Sequence, residues 1–427
     1  MISVVLSMEC ATFSKYSWLD FLFSVIGVCT FIFDFGSDLW VAKEFFLHGN
    51  FFWFGVFVGF MVLSSFVVQM FSWFWFHYDR RLVGNQAGTT SENVLLSDEK
   101  HLKLCCWLHI LQLGVFYRYA SAIRQGFQVW WRGEQSSAYA VYMTHDLSML
   151  RLIETFCESA PQLTLMLYIM LCTNQALPVQ CVSVVASTTT VAWMVVDYHR
   201  SLRSFLPDKE RQGWGSAAVY FLWNLLLIAP RVAALALFAS IFPAYVALHF
   251  LLLWVALFLW VRRQETSFMD SREGEWLYRA TVGLIWYFTW FNVADGSTRD
   301  RSAIYHTFMA VDCGILMVTW WVYREPWDTQ SYALGLAVAV ALSYVAGLLL
   351  KGLYYARFHP GLLRPSDQAG EDVPDGLVHY GSFTLEAAPS SRWQNRRMAG
   401  HAQHFYAPEP PRPAVRNNSR RQSSSTP

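Results

Sequence analysis

Acidic side chains recur along the first long apolar segment of the chain, at a spacing that follows the turn of an α-helix. Asp34 and Asp38 are four residues apart and share one helix face, and Asp20 lies fourteen positions before Asp34. Fourteen residues make nearly four turns, so Asp20 returns to that face and the stripe extends for about 27 Å, close to the thickness of bilayer hydrocarbon. Because charge inside an apolar helix is costly, the stripe indicates a polar track for something charged.

Two later apolar segments also carry polar groups at helical spacing. Arg151, Glu154 and Glu158 fall on one face, and Arg151 is expected to neutralise a carboxylate one turn away. Asn224 and Arg231 are seven residues apart and share a face of another segment. We assign all of these residues, with the acidic stripe, to one candidate path.

The alternative interpretation is that such groups pair with one another and lock a helix bundle. We favour it for Asp197 with Arg200, and for Lys351, because these residues lie near predicted helix ends where long side chains can also reach the interface. For the stripe on the first segment the track is preferred, since three acids on one span are hard to explain as structural pairs alone.

The composition indicates which class of protein could carry these charges. Of the 427 residues, 54% are hydrophobic and only 15% are charged, whereas soluble domains average about 25% charged residues. The 32 Lys and Arg residues balance 31 Asp and Glu residues, which argues against a nucleic-acid-binding protein. The chain therefore reads as an integral membrane protein.

Apolar runs of about 20 residues predict an all-α polytopic protein with about eight transmembrane helices. Two shorter runs, near 103–122 and 276–292, are predicted to be re-entrant helical segments. Basic residues gather at the predicted inner ends, and only Lys43 and Arg324 fall at outer ends, which places both termini in the cytosol. The predicted spans are 17–43, 51–77, 146–172, 180–199, 215–239, 244–261, 303–323 and 330–355.

The order of these runs suggests a membrane domain over 1–356 built from two parallel repeats, 17–200 and 215–356. From 357 to 427 the chain is rich in Pro, Ser, Gly and Arg, which predicts a disordered cytoplasmic tail. Cys172 and Cys181 flank a predicted outer loop; a disulfide is one interpretation, and small buried hydrophobic side chains are the preferred one.

Sequence motifs for energy coupling are absent from the chain. It contains no G-x-x-x-x-G-K-[ST], no D-K-T-G-T and no H-E-x-x-H, so nothing indicates ATP use, a cofactor or a catalytic metal. Transport along the track would be downhill and non-enzymatic. Ions, solutes and lipid headgroups all remain open as cargo.

Several short runs closely resemble the XK-related membrane proteins, and in particular their apoptotic phospholipid scramblase branch. The resemblance extends over essentially the whole membrane domain and part of the tail. The runs are Phe33-Asp34-Phe35-Gly36-Ser37-Asp38-Leu39-Trp40, Met149-Leu150-Arg151-Leu152-Ile153-Glu154-Thr155-Phe156, Glu158-Ser159-Ala160-Pro161-Gln162-Leu163, Tyr220-Phe221-Leu222-Trp223-Asn224-Leu225-Leu226, Trp290-Phe291-Asn292-Val293-Ala294 and Gln394-Asn395-Arg396-Arg397-Met398.

The resemblance implies a fold of eight spans with two re-entrant helices, in the plasma membrane. It also implies an activity: energy-independent phospholipid scrambling that exposes phosphatidylserine after caspase cleavage during apoptosis. A single-pass immunoglobulin-type membrane protein, of the basigin or neuroplastin kind, is the implied partner.

The tail contains a pattern that an executioner caspase would read. Asp372-Val373-Pro374-Asp375-Gly376 fits D-x-x-D followed by a small residue, with Asp375 at the cut and Asp372 three residues earlier. Pro374 and Gly376 favour the extended, accessible chain that a protease needs. The motif is weak alone and becomes strong beside a membrane domain of this kind.

Three further regulatory elements are predicted. Trp53, with Phe51 and Phe52, lies at the outer end of the second span; bulky side chains there could gate headgroup entry, and an ordinary aromatic belt explains them equally well. The tail segment that carries Trp393, Arg396, Arg397 and Phe405 could dock on the membrane domain. Arg420-Arg421-Gln422-Ser423 resembles a basophilic kinase site at Ser423, with a solvated basic tail as the alternative.

Two functions of other classes remain open at this point. A passive solute transporter or channel would need a water-filled cavity closed to lipid, whereas a scrambling groove must open laterally. A structural or interaction protein would use the same charges as internal ion pairs without any flux.

Overall fold

The computed structural model of the chain describes residues 18–86, 103–132, 137–173, 178–204, 212–266, 268–269, 271–294 and 298–358. Within these ranges every regular element is helical and no strand occurs, which confirms the all-α prediction. The tail sites named above, from Asp372 to Ser423, lie outside the described residues, so they stay predictions. The domain and repeat boundaries also stay predictions.

Thirteen helices are described. They are α1 Trp18–Leu47, α2 Phe51–Gln86, α3 103–110, α4 Gly114–Arg132, α5 Ser137–Cys157, α6 Ser159–Thr173, α7 Pro178–Ser204, α8 Trp214–Ile241, α9 Pro243–Arg262, α10 Arg272–Trp286, α11 Thr298–Tyr323, α12 Pro326–Thr329 and α13 Ala333–Leu353. A single π-helical turn, Tyr354–Phe358, follows α13.

Seven of the described helices are long and apolar enough to cross a membrane, against the eight predicted. The seven are α1, α2, α7, α8, α9, α11 and α13, and their bounds agree with the predicted spans to within a few residues. The difference is the predicted span 146–172, which the structure divides into α5 and α6.

Proline chemistry explains the division between α5 and α6. Glu158 lies between the two helices, and the backbone bonds from Glu158 to Glu154 and from Gln162 to Glu158 are both kept. Pro161 has no N–H to donate to the carbonyl of Cys157 four residues earlier, and its ring crowds that carbonyl. The helix therefore breaks in the middle of a segment whose hydropathy is continuous.

The bundle is organised around α8. This helix contacts α6, α7, α9, α11 and α13, and 13 of its 28 residues are buried. By contrast, α1, α9 and α13 present long apolar faces outward, as expected of helices that meet lipid. These three helices are therefore at the periphery of the bundle, and α8 is at its centre.

The two predicted re-entrant runs have different structures. Residues 103–132 form a helix–turn–helix, α3 and α4, with Gln112 in a left-handed conformation at the turn. The second run was predicted to be helical to about residue 292, but the helix ends with α10 and a non-helical segment, 287–294, follows. Trp290 and Phe291 are buried there, and irregular backbone is tolerated at membrane depth where protein covers it.

The two outer-loop cysteines do not behave as predicted. Cys172, near the end of α6, and Cys181, in α7, are both free and both exposed. The preferred interpretation as buried side chains was therefore wrong, because these helix ends lie on the outside of the bundle.

Candidate functional site

Carboxylates from two neighbouring elements meet at the break between α5 and α6. Asp38 of α1 is only 8% exposed and lies beside Glu158 and Gln162. Asp34, one turn earlier on α1, accepts a hydrogen bond from Ser159 Oγ at 3.4 Å. The broken helix thus presents its polar residues to the acidic stripe that the sequence predicted.

Glu154 adds a further carboxylate to this cluster, since both Asp34 and Asp38 act electrostatically on it. Asp20 lies in the first turn of α1, in the same helical register as the other two acids. We use the name acidic cluster for Asp34, Asp38, Glu154 and Glu158. Cationic groups and hydrogen-bond donors are the ligands that such a surface favours.

Only one helix separates the acidic cluster from the outside of the bundle. Phe33 is 77% exposed and Trp40 is 64% exposed, although they flank Asp34 and Asp38 on α1. The outer face of α1 is therefore apolar and suited to acyl chains, while its inner face is acidic.

Arg151 pairs with a different carboxylate from the one predicted. Its Nη1 lies 3.4 Å from Asp197 Oδ2 in α7, and its guanidinium carbon lies 5.8 Å from the Tyr119 ring centre. Helical side chains point back toward the N-terminus of their own helix, so Arg151 forms its ion pair with Asp197, while Glu154, one turn further along α5, still attracts it electrostatically. Asp197 therefore pairs across helices with Arg151, in addition to the favourable electrostatic interaction with Arg200 that was expected.

The family model described as XK-related protein matches residues 22–360, which include α1 to α13 except the first residues of α1. This chain belongs to the XK-related family. The family resemblance inferred from the short runs is therefore confirmed.

Three relatives named XK-related protein 8 are similar over nearly their whole length. The protein from Gasterosteus aculeatus is 63% identical over 406 residues, which cover 94% of this chain and 100% of the relative. The protein from Tetraodon nigroviridis is 62% identical over 404 residues, 94% of this chain and 99% of the relative. The protein from Pan troglodytes is 41% identical over 391 residues, 91% of this chain and 94% of the relative.

The other two predicted path residues lie in a separate part of this XK-related bundle. Asn224 is fully buried in α8 and donates to the carbonyl of Tyr220 at 2.8 Å. Arg231, 1% exposed, donates from Nη1 to Asp312 of α11 and from Nε to the carbonyl of Tyr287 at 3.1 Å. Within the described ranges no hydrogen bond or ion pair links Asn224 or Arg231 to the acidic cluster.

Sequence reasoning missed His249, which contacts two of the partners of Arg231. His249 Nε2 donates to Asp312 Oδ1 at 3.0 Å, and His249 Nδ1 lies 3.0 Å from the Tyr287 hydroxyl. We use the name α8–α11 network for Arg231, His249, Tyr287 and Asp312. A lone histidine within the apolar α9 was the available signal, because a polar group there needs a buried partner.

Lys351 also departs from its predicted role at a helix end. It is buried in α13, where Nζ donates to Ser302 Oγ at 2.7 Å and to His306 Nε2 at 2.5 Å. The ammonium lies 5.0 Å from the Trp223 ring centre and 5.2 Å from that of Trp290. This aromatic and polar enclosure replaces the interfacial position that was predicted.

A third buried network fixes the helix–turn–helix to the bundle. Arg118 of α4 forms an ion pair with Asp146 of α5 at 3.0 Å and donates to Ser72 of α2, to Oγ at 2.9 Å and to the carbonyl oxygen at 3.1 Å. All three side chains are buried. The arginine therefore ties α2 and α5 to the shorter element between them.

Trp53 is half-buried at the start of α2, and its ring centre lies 5.2 Å from that of Tyr168 in α6. Phe51 and Phe52 are exposed, as residues of an aromatic belt would be. Trp53 thus differs from its neighbours by bridging α2 to the helix that follows the acidic cluster. The choice between gate and belt stays a prediction.

Proposed function

We propose that this chain is an energy-independent phospholipid scramblase of the plasma membrane that exposes phosphatidylserine. The observation that carries the proposal is the acidic cluster, which lies on the inner face of α1, opposite the apolar outer face of the same helix. Headgroups would follow the polar inner face of α1, while acyl chains remain on its apolar outer face. Such a division of surfaces suits an amphipathic cargo.

Lipid fits this arrangement better than a small solute does. Carboxylates at Asp34, Asp38 and Glu158 suit the ammonium groups of choline, ethanolamine and serine headgroups, and the guanidinium of Arg151 suits their phosphates. A solute carrier would instead enclose its ligand away from lipid. The downhill direction follows from the absence of any motif for ATP coupling in the sequence.

The regulation that we propose follows the family resemblance and the tail motif. An executioner caspase would cut after Asp375 during apoptosis, and phosphorylation at Ser423 would supply a second switch. A single-pass immunoglobulin-type membrane protein would accompany the chain to the cell surface. Both termini would lie in the cytosol, which the distribution of basic residues supports.

Reconstitution of the full chain into liposomes tests the proposed activity. Vesicles that contain fluorescent phospholipid are treated with dithionite, before and after digestion by an executioner caspase. We expect more than half of the label to become accessible after digestion, while an encapsulated dye stays inside. Leakage of the dye would indicate a channel, and accessibility limited to the outer leaflet in both states would contradict the proposal.

Removing one charge from the acidic cluster is expected to slow lipid flux. Asp38→Asn keeps the size of the side chain but removes a charged partner for the headgroup. We expect the rate of lipid scrambling to decrease about tenfold or more. Glu44→Gln is the matched control, because Glu44 is an acid of the same helix whose side chain is 43% exposed. Equal rates for Asp38→Asn, Glu44→Gln and the wild type would remove the cluster from the mechanism.

Truncation of Trp53 is expected to expose phosphatidylserine without a death signal. Trp53→Ala removes the contact with Tyr168, so α2 and α6 can separate at the outer end of the bundle. Annexin staining of healthy cells measures the effect. Phe51→Ala is the control, because Phe51 packs on Phe46 and faces outward. Resting cells that carry Trp53→Ala and stay unstained would leave Trp53 as an interfacial anchor only.

A further inference from the structure

The acidic stripe of α1 has a glycine at its midpoint. Gly27 lies seven residues after Asp20 and seven before Asp34, so it occupies the same helix face about 10.5 Å from each acid. Because glycine has no side chain, the stripe has a notch at the place where a fourth polar residue would be expected.

The guanidinium of Arg151 fills this notch. A Cβ atom added at Gly27 would lie 0.9 Å from Arg151 Nη2, 1.7 Å from Cζ and 2.1 Å from Nη1. No real pair of atoms approaches so closely, so any side chain at position 27 must displace the arginine. The cation of α5 therefore lies within the stripe of α1, between two of its acids.

Besides Gly27, the guanidinium of Arg151 meets Asp197 and the ring of Tyr119. It is 8% exposed, its bond to Asp197 is long at 3.4 Å, and its Nε and Nη2 atoms have no hydrogen-bond partner among the described residues. The space over Gly27, which a Cβ atom would fill, is thus part of the seat of the guanidinium. Without it, a long side chain with free donors can take other orientations.

The packing of α1 on α5 supports this arrangement independently. Ser24 Oγ lies 3.4 Å from Thr144 Oγ1, so the two helices are in contact one turn before Gly27. Arg151 is two turns after Thr144, and its side chain reaches back toward the N-terminus of α5, which brings its tip level with Gly27.

We propose that Gly27 is a positioning residue of the lipid path, which acts by seating the Arg151 guanidinium at the middle of the acidic stripe. The inference rests on the proposed scramblase function. In the path, Arg151 supplies a positive group at the level of Gly27, where it can meet the phosphate of a headgroup. A methyl group at position 27 moves that charge out of the stripe.

The test compares two glycines of one helix in the full-length, caspase-treated protein. Gly27→Ala is expected to reduce the rate of lipid scrambling in liposomes about tenfold, the scale of overpacking by one methyl group. Gly36→Ala is the matched control, because a Cβ there meets nothing within 4 Å. Equal rates for Gly27→Ala and Gly36→Ala would overturn the proposal.

A second background separates positioning from a simple defect in packing. In Arg151→Met/Asp197→Asn the guanidinium and its buried partner are both removed, so adding Gly27→Ala is expected to change the rate by less than twofold. A further tenfold loss in that background would show that Gly27 acts on something else. If Gly27→Ala alone yields no folded protein, recovery of folded protein in the combined variant supports the proposal, and failure of both overturns it.

Thermal unfolding distinguishes failure of this inference from failure of the proposed function. If the wild type moves no lipid, the scramblase proposal fails. The contact between Gly27 and Arg151 is then tested by melting temperatures alone. Gly27→Ala should lower the melting temperature in the wild type and leave it unchanged in Arg151→Met/Asp197→Asn. Equal decreases in both backgrounds would refute the contact itself.

Discussion

A chain that stops at Asp375 is expected to expose phosphatidylserine in healthy cells, while the full-length Asp375→Ala variant exposes none in dying cells. The reason is the docking that we propose for the tail segment around Trp393 and Phe405, in which Arg396 and Arg397 meet acidic groups on the cytoplasmic face. Docking of the tail would favour the closed state of the lipid path over the open state. About 5.5 kcal/mol suffices to move such a two-state equilibrium from 1:99 to 99:1. Cleavage removes the high effective concentration that the covalent tether supplies, so the open state gains population.

Immunoblotting for the tail fragment and annexin staining measure this prediction in the same cells. Asp367→Ala is the matched control, since Asp367 is a tail aspartate outside the D-x-x-D pattern and its loss should change neither readout. Ser423→Ala tests the second switch separately. If the chain that stops at Asp375 reaches the surface with its partner and exposes no lipid, release of the tail is not sufficient for opening.

Loss of Arg231 is expected to cause the largest change in stability. Arg231→Met leaves Asp312, whose side chain is 15% exposed, with His249 as its remaining partner among the described residues, and breaking a buried ion pair costs up to about 3–5 kcal/mol. A decrease of the melting temperature in detergent, and poor delivery to the cell surface, should follow. Arg263→Met is the control, because Arg263 is an exposed arginine at the end of α9.

A double variant shows whether the α8–α11 network acts as a structural lock. Arg231→Met/Asp312→Leu removes both charges, and replacing a buried pair by apolar residues is often neutral, so most of the lost stability should return. If Arg231→Met instead keeps the melting temperature and slows lipid flux, Arg231 belongs to the lipid path as the sequence predicted. The two measurements therefore assign Arg231 to one role.

Local patterns in the sequence were sufficient for the seven apolar spans, but not for the division of 146–172 into α5 and α6. Hydropathy over about 20 residues depends only on neighbouring side chains, so the seven spans agree with their predicted bounds. The period of the α-helix likewise places Asp34 and Asp38 on one face whatever surrounds them. The short runs around Asp34, Arg151 and Glu158 were enough to indicate the family, which the match over 22–360 confirms.

The tertiary structure decided which of these groups meet. Arg151 pairs with Asp197 and seats on Gly27, and Lys351 is enclosed by Trp223 and Trp290. The sequence could not indicate these partners, because the contacts join helices that are distant along the chain. Their formation depends on how each helix is rotated and how closely it approaches its neighbour, and apolar packing between helices sets both quantities without leaving a periodic signal in either sequence segment.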